Sequence, residues 1–166
     1  MDICDPIEAG PGIALYTKEF YEFATSKLNP GGILVTQSGS CAFHNCDECF
    51  TTIHSTLSSC FDHVDGYNTD IPSFGSPWGY NIAYNALGAD GKKAAGAGKR
   101  KAVEGGDSIK SLSVEEIDSR IATRITDIKK KPLQHYDGST HHGMFNMQKA
   151  VRTKMAAEKR VITVDN

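Results

Sequence analysis

The stretch from Asn29 to Cys60 constrains the fold more than any other part of the chain. Asn29-Pro30-Gly31-Gly32 must end any helix before it, because proline cannot continue a helix and glycine tolerates left-handed backbone. The apolar run Ile33-Leu34-Val35 follows and passes into Thr36-Gln37-Ser38-Gly39. That is the pattern of a short buried strand closed by a polar turn. Phe43, Cys46, Phe50, Ile53, Leu57 and Cys60 then recur at steps of three and four, which predicts a helix over 43–60 with one apolar stripe. A buried strand feeding an amphipathic helix is the repeating piece of an α/β protein.

The flanks extend this pattern. Met1 to Cys4 read as the end of a buried strand, turned outward by Asp5-Pro6. Thr17 can cap a helix over 17–28, with Phe20, Phe23, Ala24 and Leu28 at helical spacing. Residues 63–71 and 78–84 are predicted strands joined by Pro72-Ser73-Phe74-Gly75-Ser76-Pro77. The expected architecture is a largely parallel sheet with right-handed crossovers and covering helices. A chain terminus usually frays. One that starts on a strand end reads as a fragment of a longer protein.

Residues 86–112 are rich in Gly, Ala and Lys and poor in large apolar side chains. They are expected to form a flexible insertion, with Lys92, Lys93, Lys99, Arg100 and Lys101 as its solvated charges. Ser113-Val114-Glu115-Glu116 is a capping-box pattern ahead of the stripe Val114, Ile117, Ile121, Ile125 and Ile128, so a helix is predicted over 114–129. Tyr136-Asp137-Gly138 reads as a turn, 147–157 as a further helix, and Val161-Ile162-Thr163-Val164 as a closing apolar run. The expected division is therefore a partial Rossmann-like catalytic domain over 1–85, the insertion over 86–112, and a helical continuation of the same domain over 113–166.

Composition narrows the function classes. The 166 residues carry a net charge of −2, so the basic footprint of a nucleic-acid binder is missing. No stretch approaches the roughly 20 apolar residues of a membrane span, and Met1-Asp2-Ile3-Cys4-Asp5-Pro6 has no signal-peptide character. Five cysteines without such a signal read as reduced thiols of a cytoplasmic protein.

The chemistry centres on Asp2-x-x-Asp5-Pro6. In open α/β sheets ligands bind at the carboxyl ends of strands. Two carboxylates there, three residues apart and turned by proline, can face one pocket and suit a cationic substrate. They also suit removal of a proton from an ammonium group, whose ordinary pKa is near 10. Asp-Pro can equally serve only to start a turn.

The wider context adds a family. Asp2-Ile3-Cys4-Asp5-Pro6-Ile7-Glu8-Ala9-Gly10-Pro11, Leu15-Tyr16-Thr17-Lys18 with Phe20-Tyr21, Gly31-Gly32 through Gly39, Ile71-Pro72-Ser73-Phe74, Trp78-Gly79, Ser113 through Asp118, Tyr136-Asp137-Gly138 and His141 through Phe145 occur in the order seen in polyamine aminopropyltransferases. The chain resembles the C-terminal part of that family, the spermidine and thermospermine synthases. The resemblance implies the C-terminal half of a methyltransferase-like doubly wound sheet. It implies transfer of an aminopropyl group from decarboxylated S-adenosylmethionine, a co-substrate and not a bound cofactor, to a polyamine. It places Asp2 as proton acceptor and assigns Asp5, Gln37 and Phe74 to the amine site. Phe74 lies where many spermidine synthases have a tyrosine that bonds putrescine, so the resemblance leans toward thermospermine synthases. It leaves room for a homo-oligomer in a full-length enzyme.

The family's β-hairpin domain, glycine-rich first βα turn and ribose-holding acid have no counterpart here. No cofactor-binding residue is assigned, since Gly91 and Gly96-Ala97-Gly98 follow no strand. A truncated, non-catalytic homologue or binding partner is the alternative reading, and a methyltransferase-like fragment with another substrate is a third.

Other residues have competing roles. Cys41, His44, Cys46 and Cys49 are dense enough to suggest metal or redox chemistry, but Cys46 lies on the apolar stripe and no second ligand pair follows, so buried thiols and no metal are expected. His141-His142 reads as packing, because adjacent side chains point apart. Trp78 and Tyr80 can stack on a ligand or pack in the core.

Overall fold

The computed structural model describes residues 1–4, 10, 12–85, 109–125, 128 and 131–165. The greater part of the expected insertion, 86–108, lies outside these residues, as does Asp5. The chain forms two compact units, one of 1–101 with 148–166 and one of 102–147.

The first unit is built on β1 (Ile33–Ser40), β2 (His63–Ile71) and β3 (Ser76–Tyr84), in the order β1-β3-β2. Helices α1 (Lys18–Lys27), α2 (Phe50–Cys60) and, beyond the second unit, α5 (Lys149–Ala157) accompany it. The expected largely parallel sheet is corrected here, because β3 pairs antiparallel with both neighbours. A parallel connection needs a dozen or more residues. Between β2 and β3 there is only a turn of 3-10 helix, Pro72–Phe74, closed by Gly75 at φ 65°. The two strands can only form a hairpin. β1 and β2, linked through α2, run in the same direction, but β3 lies between them.

Residues 18–27 form α1 because Thr17 Oγ1 accepts from the Phe20 amide, and Gly32 and its neighbours follow the end of the helix. Its buried contact is Tyr21, with Phe20, Ala24 and Leu28 against the core. Phe23 lies off that stripe, exposed under the Lys27 ammonium at 5.0 Å. The helix predicted over 43–60 starts only at Phe50. Residues 43–49 are turns in which Thr51 N bonds Cys46 O, five residues back, and Phe43 is 57% exposed. The turns still deliver Cys46 and Phe50 to the interior, so the apolar spacing was right while the helical hydrogen bonding was not.

Leu34, Ala83, Ile53, Leu57, Tyr16, Tyr21 and Phe61 form the core. Side chains alternate along each strand, so the face carrying Leu34 and Ala83 takes the helices. The opposite face carries Gln37, Tyr80 and Tyr67, which are cross-strand partners.

The end of the chain is strapped across α1 and α2. Lys18 N donates to Ile162 O, and Ile162 N to Thr56 Oγ1. Glu158 accepts from Thr51 Oγ1 at 2.9 Å, Thr52 Oγ1 at 3.3 Å and the Arg160 guanidinium. The Arg160 hydrogen bonds outweigh burial and hold the Glu158 carboxyl at about 2, below its ordinary 4.5. A depressed pKa stabilises the fold above the unfolded value and loses that effect as pH falls through the folded one. Acidification from about pH 4.5 to 2 should therefore loosen the strap. Melting midpoints over that range should fall more steeply for the natural chain than for Glu158→Gln. Parallel curves would show that the strap does not depend on this charge.

In the second unit, α3 (Val114–Arg124) starts on Ser113 Oγ, which accepts from Glu116 N as the capping box predicts. It stops five residues earlier than expected, where Ile125 becomes extended. A helix not anticipated, α4 (Gly138–Phe145), is capped by Asp137 Oδ1 on Thr140 N at 2.7 Å. The Tyr136-Asp137-Gly138 turn is its start. His141 is buried, held by Tyr136 Oη at its Nδ1 and by the Ile109 carbonyl at its Nε2, both at 2.8 Å. Since a carbonyl only accepts, Nε2 carries the proton and the tyrosine donates to Nδ1. This is the packing role expected of the pair.

Candidate functional site

The site is organised by Gln37, a side chain 4% exposed near the end of β1. Its Nε2 donates to the Ile3 carbonyl at 2.8 Å and to Tyr16 Oη at 2.9 Å. Its Oε1 accepts from Gly39 N at 3.0 Å and from Trp78 Nε1 at 3.0 Å. Two donors and two acceptor positions are thus engaged by protein groups, which is the ordinary capacity of an amide. Gly39 sits at φ 80° beside the irregularity between Gln37 and Ser40, and this bend turns its amide back onto the Gln37 oxygen.

These bonds fix the segment that carries Asp2. Tyr16 Oη also donates to the Cys4 carbonyl at 3.1 Å. Met1 N donates to Val35 O, and Gln37 N donates to Met1 O at 3.0 Å. One residue bonding to two that flank Thr36 is the parallel-ladder pattern, so Met1 lies opposite Thr36 alongside β1, although residues 1–4 form no strand of the three-stranded sheet. Asp2 then falls next to Gln37, and the row continues through Tyr80 to Tyr67.

Asp2 is exposed. The Tyr80 phenol is pushed above its ordinary range, first by burial and then by the Asp2 charge. Phe74, 53% exposed, packs on Trp78 with ring centroids 4.2 Å apart. The Trp78 indole is in turn locked by Gln37. Asp2, Gln37 and, through Trp78, Phe74 therefore come together at one end of the sheet. Asp5, the remaining sequence-predicted residue, lies outside the described residues. Tyr16 was missed as a site residue. Its signals were its place directly before the Thr17 cap and within the Leu15-Tyr16-Thr17-Lys18 block, and its bonds to Gln37 and Cys4 needed the tertiary fold to be seen.

The arrangement is suited to cations. An exposed carboxylate shares this end of the sheet with the rings of Trp78 and Phe74, and ring faces attract ammonium groups. The cysteine cluster is elsewhere in character. Burial raises the Cys41 thiol to about 11 and also raises Cys46, so neither readily forms the reactive thiolate. Among the described residues, no three or more His, Cys, Asp or Glu side chains are grouped to hold a metal ion, and no helix is long and apolar enough to cross a membrane.

Comparison with known proteins bears on this geometry. The family model for the spermine/spermidine synthase domain matches residues 1–87. The polyamine aminopropyltransferase of Sulfolobus acidocaldarius is 34% identical over 166 residues, covering 100% of this chain and 46% of the relative. The thermospermine synthase ACAULIS5 of Arabidopsis thaliana is 42% identical over 83 residues, 49% of this chain and 24% of the relative. The chain spans about half the length of the curated relatives it matches along its whole extent. Among solved structures, spermidine synthase from Thermotoga maritima superposes with a TM-score of 0.56 at 16% identity, covering 90% of this chain and 41% of that one. A spermidine synthase in complex with the transition-state analogue AdoDATO gives 0.54, again at 16% identity, over 87% of this chain and 39% of that one. These likenesses show the α/β, Rossmann-like fold of spermidine synthases, so the fold class read from the sequence stands with its antiparallel β3 included. By its match over more than half its length, the chain belongs to the spermine/spermidine synthase family.

Proposed function

We propose that this chain supplies the amine-acceptor side of a polyamine aminopropyltransferase that uses decarboxylated S-adenosylmethionine as donor. The observation that carries the reading is the position of Asp2, which the bonds of Gln37 and Tyr16 to the backbone of residues 1–4 hold next to Gln37 at the sheet end. In the reaction, the lone pair of the acceptor nitrogen attacks the donor carbon next to the sulfonium. The carbon–sulfur bond breaks and its electrons return to sulfur, which leaves as the neutral thioether methylthioadenosine. The proton lost by the nitrogen goes to Asp2, acting as general base. Asp5 holds a cationic amine through a charge-assisted hydrogen bond.

Gln37 serves this site by positioning, because its amide is spent on Ile3, Tyr16, Gly39 and Trp78. Phe74 offers an apolar face with no hydroxyl. A site lacking that partner discriminates less in favour of a short diamine, which favours spermidine as acceptor and thermospermine as product.

The test joins this chain to the N-terminal part of the Sulfolobus acidocaldarius relative, replacing the region it matches. Methylthioadenosine release should depend on added amine, with spermidine used at least as well as putrescine. The 166-residue chain alone should give none, since no glycine-rich βα turn is present to hold the donor. A folded chimaera that binds amine yet releases no product would instead support the non-catalytic homologue.

A further inference from the structure

Beyond Gln37, the row across the sheet contains two features that the reaction at Asp2 does not use. Tyr80 and Tyr67 are direct cross-strand partners on β3 and β2. Their rings stack with centroids 5.3 Å apart and an interplanar angle of 15°. The register therefore sets out, on one sheet face, a carboxylate, an amide and then a pair of parallel aromatic rings. Neighbouring strands lie about 4.8 Å apart, so three spacings put Tyr67 about 14 Å from Asp2.

That length separates two classes of acceptor. The nitrogens of a four-carbon diamine are five bonds apart and reach about 6 Å when extended; the outer nitrogens of a linear triamine with four- and three-carbon arms are nine bonds apart and reach about 11 Å. A diamine with one nitrogen at Asp2 ends over Gln37. A triamine ends over the tyrosine pair. The methylenes between its nitrogens can lie along the ring surfaces, and the ring faces attract the far ammonium. Burial and the Asp2 charge raise the pKa of the Tyr80 phenol, which keeps it neutral. The rings consequently present π faces and hydroxyls to a cation without a fixed positive charge of their own.

We propose that the row Asp2, Gln37, Tyr80 and Tyr67 is an extended acceptor subsite, in which the stacked tyrosines hold the distal ammonium of a linear triamine. The proposal rests on the amine-acceptor reading and adds to it the length of amine for which the sheet is laid out.

Titration calorimetry on the 166-residue chain, with putrescine and spermidine as probes, tests it without requiring turnover. Spermidine should bind more tightly than putrescine. Tyr67→Ala should weaken spermidine about 3- to 30-fold, the range of a cation–π contact, and leave putrescine unchanged. Tyr67→Phe keeps the ring and should keep most of the affinity. Tyr67→Leu keeps bulk without a π face, so it should behave like the alanine variant and replaces it if that variant does not fold. If both amines bind the natural chain but Tyr67→Leu changes neither, or changes both equally, the row is not the triamine subsite and the acceptor site at Asp2 stands. If neither amine binds the natural chain, the acceptor reading and the row fail together.

Discussion

Replacing Asp2 with Asn should lower turnover of the chimaeric enzyme at pH 7 by about 10²- to 10⁴-fold, the usual loss on removing a general base. The substitution keeps size and hydrogen-bonding shape and removes basicity. An acceptor amine with a pKa near 10 arrives at pH 7 almost wholly protonated. Something must take its proton before or during attack, and Asp2 stands exposed next to Gln37 at the sheet end. The deficit should shrink as the pH is raised toward about 10, where the amine loses its proton to water. Asp5→Asn should behave differently, raising the apparent KM for the amine more than it lowers kcat, as expected for a group that mainly holds the cation. Near-normal turnover of Asp2→Asn at pH 7 would show that the carboxylate is only an electrostatic clamp.

A second large effect is expected in the scaffold. Gly79 lies on β3 between Trp78 and Tyr80, on the opposite face of the sheet. A Cβ built there would stand 2.4 Å from Cδ2 of Phe50, and 3.0 Å from Cε2 and Cγ of the same ring. Phe50 is fully buried at the start of α2. Gly66 on β2 faces it too, with a built Cβ 3.0 Å from Cζ. The ring lies against bare backbone on two strands, and its Cγ, fixed close to the α2 backbone, is among the atoms a Cβ would crowd. Gly79→Ala should therefore destabilise the fold by about 3 kcal/mol, the upper part of the range for overpacking a core. Denaturant midpoints would measure it. In a Phe50→Leu background the penalty of Gly79→Ala should fall to well under half, because the smaller side chain frees the space. An equal penalty in both backgrounds would mean that the strain lies in the β3 backbone instead. Because Trp78 and Tyr80 flank this glycine, the variant should also weaken amine binding at the site.

The parts of the site that could be read directly were those whose signal is local. Asp2-x-x-Asp5-Pro6, the polar end of β1 with Gln37, and the Pro72-Ser73-Phe74 turn each stand out over a few residues. What joins them is not local. Gln37 bonds to Ile3, 34 residues away, and to Trp78, 41 residues away. Nothing in the spacing of those residues announces an amide whose four hydrogen-bonding positions meet Ile3, Tyr16, Gly39 and Trp78. Tyr67 and Tyr80 likewise look like ordinary alternating strand residues until the hairpin register sets their rings together.

The fold divides in the same way. Breakers, caps and apolar periodicity determined that the chain alternates strands and helices, that Thr17 and Ser113 start helices, and that Phe50, Ile53 and Leu57 are buried, because each depends on neighbours within one or two turns. Strand direction, the late start of α2 at Phe50, and the α4 helix on its Asp137 cap were decided by tertiary structure. The direction of β3 follows from a connection too short for a crossover. Its place between β1 and β2 follows from hydrogen bonds made to both of them at once. Such long-range pairings form only when the rest of the sheet is there to receive them, and an alternating pattern of side chains reads the same whichever way its strand runs.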